Sequence, residues 1–124
     1  MGDVVFTDRE LDIMAVLWEC GPSTVADVRG HVQDRLAYTT VLTVLRTLEE
    51  KGHIGHLEEG RAYRYHALVE RGHAQVSALD RLTRKLFAGS TELLLSHLVS
   101  DQGLSDEELD RIKKLLEERM GGEG

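Results

Sequence analysis

One cysteine, Cys20, and one proline, Pro22, are all that the 124-residue chain contains of either type. A single thiol excludes an internal disulfide and a thiolate-based structural zinc site. Aromatic residues make up 5% of the chain, too few for broad platforms on which unpaired bases stack. No apolar run approaches the roughly 20 residues needed to span a bilayer. The start, Met1-Gly2-Asp3-Val4, has neither the basic residues nor the long apolar stretch of a signal peptide. These absences give the expectation of a cytoplasmic protein without membrane insertion. An excess of positive charge is also missing. The chain carries 15 Lys and Arg against 22 Asp and Glu, a formal charge of −7. Residues 1–69 hold 7 basic and 11 acidic side chains, and residues 70–124 hold 8 and 11. Neither half has the basic total usual in a nucleic-acid binder, so a case for one has to rest on pattern.

Pattern is abundant. Thr7-Asp8-Arg9-Glu10 is a capping box, and Leu11, Met14, Leu17 and Trp18 follow at helical spacing until Gly21-Pro22 stops the run. A second helix starts at Ser23 or Thr24, with Val25, Val28 and Val32 on one face, and ends near Asp34. A third runs from about Tyr38 to Lys51, with Gly52 as its stop. The period then changes to two. Ile54–Leu57 and Ala62–Leu68 read as strands joined by the turn Glu58-Glu59-Gly60-Arg61. Three short helices and a hairpin within 70 residues is the order of a winged helix-turn-helix.

Beyond residue 70 the chain is helical again. Val76, Leu79, Leu82, Leu86 and Phe87 form one stripe, Leu94, Leu95 and Leu98 a second, and Leu109, Ile112, Leu115 and Leu116 a third. Gly89-Ser90 separates the first two, and the capping box Ser105-Asp106-Glu107-Glu108 opens the last. About 50 residues with so few aromatics cannot bury a sufficient core alone. Either this part packs on the N-terminal domain or it pairs with another chain. Three apolar stripes on helices separated by short breaks suit an intertwined dimer, and Val76, Leu79, Leu82, Leu86, Phe87, Leu94, Leu98, Ile112, Leu115 and Leu116 are assigned to its interface. The fold class is mainly α with a small β-hairpin. It comprises a winged helix-turn-helix DNA-binding domain (1–69), a helical dimerisation region (70–120) and a flexible tail (121–124).

The third helix carries the functional argument. With Val41, Val44, Leu45 and Leu48 buried, a turn of about 100° per residue puts Thr39, Thr43, Arg46 and Glu50 opposite, with Thr40 and Thr47 on the flanks. Threonine is a poor choice for an exposed helix face on stability grounds. It is short, however, and offers a methyl and a hydroxyl to a major groove, while Arg46 can reach a guanine or a phosphate. Arg61 at the hairpin tip and Arg64 on the strand can reach phosphates or the minor groove, with Glu58 and Glu59 pointing away. Tyr65 is expected to pack against the domain.

Enzyme signatures are missing. No Lys-Ser/Thr pair follows the hairpin glycines, and there is no His-Glu-x-x-His or Gly-x-Ser-x-Gly. The six histidines are scattered without ligand spacing, so neither metal nor cofactor is expected. Cys20, at the end of the first helix, is expected to be a small buried or half-buried residue. The rival class is a winged domain used for protein contact, which the acidic total favours.

Three stretches carry a family likeness: Glu10-Leu11-Asp12-Ile13-Met14-Ala15-Val16-Leu17-Trp18, the run Ala37-Tyr38-Thr39-Thr40-Val41-Leu42-Thr43-Val44-Leu45-Arg46-Thr47-Leu48-Glu49-Glu50-Lys51-Gly52, and Arg61-Ala62-Tyr63-Arg64-Tyr65. They resemble the penicillinase-repressor family of bacterial winged-helix repressors, typified by BlaI and MecI and more distantly by CopY. The resemblance implies a homodimer on an inverted-repeat operator in double-stranded DNA, controlling β-lactam or cell-envelope stress genes and its own operon. It places the groove-reading positions on Thr39, Thr40, Leu42 and Thr43, with Arg46 close by; Leu42 is the one that the helical wheel puts on the flank. It also implies a membrane-bound sensor protease as a partner, acting through an Asn-Phe bond in the C-terminal helices. The corresponding stretch here is Leu94-Leu95-Ser96-His97-Leu98, and the chain has no asparagine. The paired terminal cysteines of copper-responsive members are absent too.

Overall fold

The computed structural model describes residues 4–121. Its elements follow the expected order. Helices α1 (Asp8–Cys20), α2 (Val25–His31) and α3 (Tyr38–Glu50) precede strands β1 (Ile54–Glu59) and β2 (Ala62–Ala67). Helices α4 (Arg71–Leu86), α5 (Thr91–Asp101) and α6 (Asp106–Gly121) follow. Of the tail expected at 121–124, Gly121 closes α6 and the rest lies outside the described residues.

The chain divides into two compact units, Met1–Leu79 and Asp80–Gly124, with the division inside α4. In the first unit, Ile13, Met14, Val28, Val41, Leu45, Leu48, Ile54 and Tyr65 are buried almost completely. They come from α1, α2, α3 and both strands, so one core fixes the helices and the hairpin together. Tyr65 packs inward as expected. Leu11 does not: Ile13, Met14, Val16 and Leu17 form the buried face of α1, and Leu11 is left exposed. Cys20 is exposed as well, contrary to expectation. It is the last residue of α1, beyond the layer into which Ile13 and Leu17 pack.

Helix starts are set by side chains. Thr7 and Glu10 form a reciprocal capping box on α1, as Thr24 and Asp27 do on α2. Helix α2 stops at His31, three residues short of the expected Asp34, because Val32 is already extended (φ −68°, ψ 145°). The Arg29 Nε donates to Leu36 O at 2.9 Å and braces the turn that follows. Helix α3 ends at Glu50, and just beyond it Gly52 turns the chain with a φ of 83°, in the left-handed region where glycine costs least.

The strands run further toward the tip than the sequence suggests. Glu58 and Glu59 belong to β1, pairing with Tyr63 and Ala62, and only Gly60 and Arg61 remain as the loop. The base of the hairpin is pinned by a bridge to the loop before α2. Ser23 N donates to Tyr65 O at 2.9 Å and Tyr65 N to Ser23 O at 2.8 Å.

Glu10 links the cap of α1 to the end of α3. Its carboxylate accepts from Thr7 N at 2.8 Å and from Lys51 Nζ at 2.8 Å. Burial alone would raise its pKa, but these bonds and the Lys51 charge outweigh burial and hold it below the ordinary carboxylate value. A depressed carboxyl pKa stabilises the fold above the unfolded value, about 4.3 for Glu. That contribution is lost as pH falls through the folded value. Glu10→Gln is therefore expected to cost about 1–2 kcal/mol at neutral pH. The deficit should shrink on acidification toward about pH 3. Urea unfolding at both pH values checks this, and an equal deficit at both would contradict the ion-pair account.

In the second unit, Ser90 caps α5 by accepting from Leu93 N at 3.0 Å. Ser105 and Glu108 form the expected box on α6. Leu94 is buried and Phe87 is half-buried against the His97 ring at 5.5 Å. Most other apolar side chains of this unit are exposed.

Candidate nucleic-acid interface

Helix α3 presents the face predicted for it. Val41, Leu45 and Leu48 are buried and Val44 is half-buried, while Thr39, Thr40, Thr43 and Arg46 are exposed. Leu42 and Thr47 are half-buried on the flanks. The start of α3 differs from those of α1 and α2: Ala37 provides no side-chain cap, so no side chain covers the first-turn N–H groups. Two threonine hydroxyls are turned back onto the helix. Thr43 Oγ1 donates to Thr39 O at 2.8 Å, and Thr47 Oγ1 donates to Thr43 O at 3.0 Å.

The hairpin stands beside this helix and is tied to its far end. His56 Nδ1 lies 2.5 Å from Glu49 Oε2, and the His56 ring stacks on Tyr63 at 4.2 Å. Arg61 is exposed in the two-residue loop. Arg64 is engaged within the chain. Its Nε donates to Glu59 Oε2 at 2.8 Å, one Nη donates to Pro22 O at 3.2 Å, and Asp27 lies 3.6 Å away. Glu59 thus shares a face with Arg64 and pairs with it, where the sequence suggested that it points away. Glu58 sits on the opposite face, across from Tyr63.

The charge pattern sharpens once these pairs are removed. Arg9, Lys51, Arg64 and Arg71 of the first unit all sit in ion pairs. Arg29 is bound to a carbonyl. Among the described residues of this unit, Arg35, Arg46 and Arg61 take neither an ion-pair nor a hydrogen-bond partner. They stand in the turn before α3, on α3 and at the hairpin tip. An acidic chain thus keeps three unneutralised cations around one helix and one loop.

Tyr38 was absent from the sequence-derived set. It opens α3 with about half of its surface exposed, at the mouth of a cleft of about 400 Å³ that Thr24, Leu42, Arg61 and Tyr63 also line. A large aromatic at the first exposed position of an otherwise small-residue face was the signal available. Among the described residues, no group of three or more metal-ligating side chains is assembled.

The residues assigned to a dimer interface fall into two sets. Leu94 is buried within its own chain, and Phe87 and Ile112 are half-buried. Val76, Leu79, Leu82, Leu86, Leu98, Leu115 and Leu116 are exposed, from 38% for Leu82 to 74% for Leu86. Val76 and Leu79 lie in the first unit and the remainder in the second.

Comparison with known proteins now decides the family. The family model described as "Penicillinase repressor" matches residues 6–118. The chain belongs to the penicillinase repressor family. The transcriptional regulator BlaI of Mycobacterium tuberculosis is 33% identical over 121 residues, covering 94% of this chain and 86% of that protein. The methicillin resistance regulatory protein MecI of Staphylococcus aureus is 20% identical over 115 residues, covering 91% of this chain and 94% of that one. Among solved structures, a MarR family protein from Bacillus stearothermophilus superposes with a TM-score of 0.53 at 18% identity, covering 96% of this chain and 76% of that one. A transcriptional regulator from Thermotoga maritima gives 0.54 at 21%, covering 93% and 74%. These two share the fold. Penicillinase repressor family relatives are transcriptional regulators and not enzymes, and no helix among the described residues is long and apolar enough to cross a membrane.

Proposed function

We infer that the protein is a cytoplasmic homodimeric repressor that binds inverted-repeat operators in double-stranded DNA and occludes promoters. The observation that carries this reading is the placement of Arg35, Arg46 and Arg61, unneutralised, around a helix face of small side chains. Such a face lets the backbone of α3 approach base edges while the cations meet phosphate or guanine. Thr39, Thr40, Leu42, Thr43, Arg46 and Thr47 meet the major groove, and Arg61 meets the backbone beside it. Arg64, grouped with these on sequence grounds, braces the wing against α2 through Glu59 and Asp27. The uncapped start of α3 suits a phosphate oxygen, since unpaired helix N–H groups favour anions.

Residues 1–69 act as the DNA-binding domain and 70–120 as the dimerisation region in this reading. The exposed leucines of α4, α5 and α6 supply the surface for a second copy. An isologous contact through them sets two α3 helices on successive major grooves, which is what an inverted repeat requires. The controlled genes, following the family resemblance, are those of β-lactam or cell-envelope stress and the repressor's own operon. A membrane-bound sensor protease acting upstream has no Asn-Phe bond to cut here, so its target bond in this chain is a different one.

The test is to capture fragmented genomic DNA of the source organism on the purified protein, at low and raised salt, and sequence what is retained. A few inverted repeats overlapping promoters, surviving moderate salt, are expected. Retention of only salt-labile random fragments would overturn the reading in favour of a protein-contact module. A second expectation concerns the wing. Arg61→Ala should weaken binding to all sequences alike and lower the slope of log affinity against log salt by about one, the signature of one lost phosphate contact. An unchanged slope, measured by fluorescence anisotropy across a salt series, would take Arg61 off the DNA.

A further inference from the structure

The direction of two hydroxyl groups bears on which bases α3 selects. A threonine hydroxyl has one hydrogen to give. In Thr43 it goes to Thr39 O at 2.8 Å, and in Thr47 to Thr43 O at 3.0 Å. What remains for an incoming ligand is the γ-methyl and the oxygen lone pairs. Turning the hydroxyl outward would exchange one hydrogen bond for another, with little net gain. The major-groove edge of guanine offers only acceptors and that of thymine an acceptor and the C5-methyl. A hydroxyl whose hydrogen is committed cannot donate to guanine O6 or N7, or to thymine O4. The lone pairs can still accept from adenine N6 or cytosine N4, whereas the γ-methyl has one apolar partner in the groove, the thymine methyl; removing the hydroxyl alone tells the two apart.

Thr43 is the fully exposed member of the pair and Thr47 is half-buried one turn on, so Thr43 presents its methyl more openly to a base. Arg46, exposed three residues later with no ion-pair partner, is the long donor of the same face. The work divides between them: Arg46 takes acceptor edges and Thr43 takes an apolar group. We propose that Thr43 is a specificity-determining residue that selects a thymine in each half-site by methyl-to-methyl contact, with its hydroxyl held on the backbone. The inference rests on the proposed function, in that α3 must enter the major groove.

The experiment uses the full-length protein and the inverted repeat recovered from genomic DNA, with symmetry-related thymines replaced in pairs by deoxyuridine, which removes only the C5-methyl. For one pair, the wild type is expected to lose about fourfold in affinity per methyl, the effect of one buried methyl-sized group. Thr43→Val, which keeps the methyl and drops the hydroxyl, should show the same deoxyuridine penalty as the wild type. Thr43→Ser, which keeps the hydroxyl and drops the methyl, should bind the thymine operator more weakly and lose that penalty. Thr43 is exposed, so neither change threatens the core. If Thr43→Val is the weaker binder and Thr43→Ser the wild-type-like one, the hydroxyl is the reading group and the inference is overturned. The same follows if no thymine pair distinguishes the wild type from Thr43→Ser. A wild type that binds the repeat no better than random DNA overturns the proposed function itself, an outcome distinguishable from both.

Discussion

Leu115→Asp, and separately Leu86→Asp, should convert the proposed dimer into a folded monomer. Leu115 is 65% and Leu86 74% exposed within one chain, so a carboxylate at either site is solvated in the monomer and costs its fold little. In the proposed dimer the same carboxylate would be buried without a partner, and the two-fold interface would receive it twice. Leaving a charge buried and unpaired costs about 3–5 kcal/mol, which is at least a hundredfold in the dissociation constant. Analytical ultracentrifugation reads the change in mass, and far-UV circular dichroism should be unchanged. Operator binding should fall with it, because a lone half-site forfeits an avidity advantage of about 10²–10⁴. A variant that stays a dimer and keeps its operator affinity would show that these leucines do not form the interface.

Arg46→Ala should weaken operator binding by about 1–3 kcal/mol, or about 5- to 150-fold. Its side chain is exposed on α3 without an ion-pair partner, so the truncation leaves no buried acid unpaired. A base contact and a phosphate contact give different signatures. Loss of a base contact relaxes preference at one operator position, whereas loss of a phosphate contact weakens all sequences alike and lowers the salt slope. Anisotropy titrations against the operator and its single-base variants separate the two. Unchanged affinity for every duplex would remove the centre of α3 from the interface.

Local signals in the sequence were read well, and contacts between distant segments were not. The boxes Thr7–Glu10 and Ser105–Glu108 each span four residues, and both form. The apolar spacing of Val41, Leu45 and Leu48 likewise gave the buried face of α3, and so its exposed face. In the sequence Arg64 is indistinguishable from Arg61, since both are basic and both lie on the hairpin. Its partner Asp27 comes from α2, 37 positions earlier, and only the folded chain brings the two together. The bond between Lys51 and Glu10, 41 residues apart, was equally hidden. Cys20 kept the phase of a buried position but fell past the end of the core. The threonines illustrate a different limit. Their positions on the exposed face followed from the helical period, but which way each hydroxyl turns depends on the carbonyl four residues back.

In the proposed complex, two copies of α3 lie in successive major grooves of one operator. Hydroxyl-radical footprinting of the protein on the recovered repeat tests this arrangement most directly. Two protected patches related by a two-fold axis are expected, with half-site centres about 10–10.5 base pairs apart or slightly more. A single unsymmetric patch, or protection with no fixed register on the repeat, would contradict it.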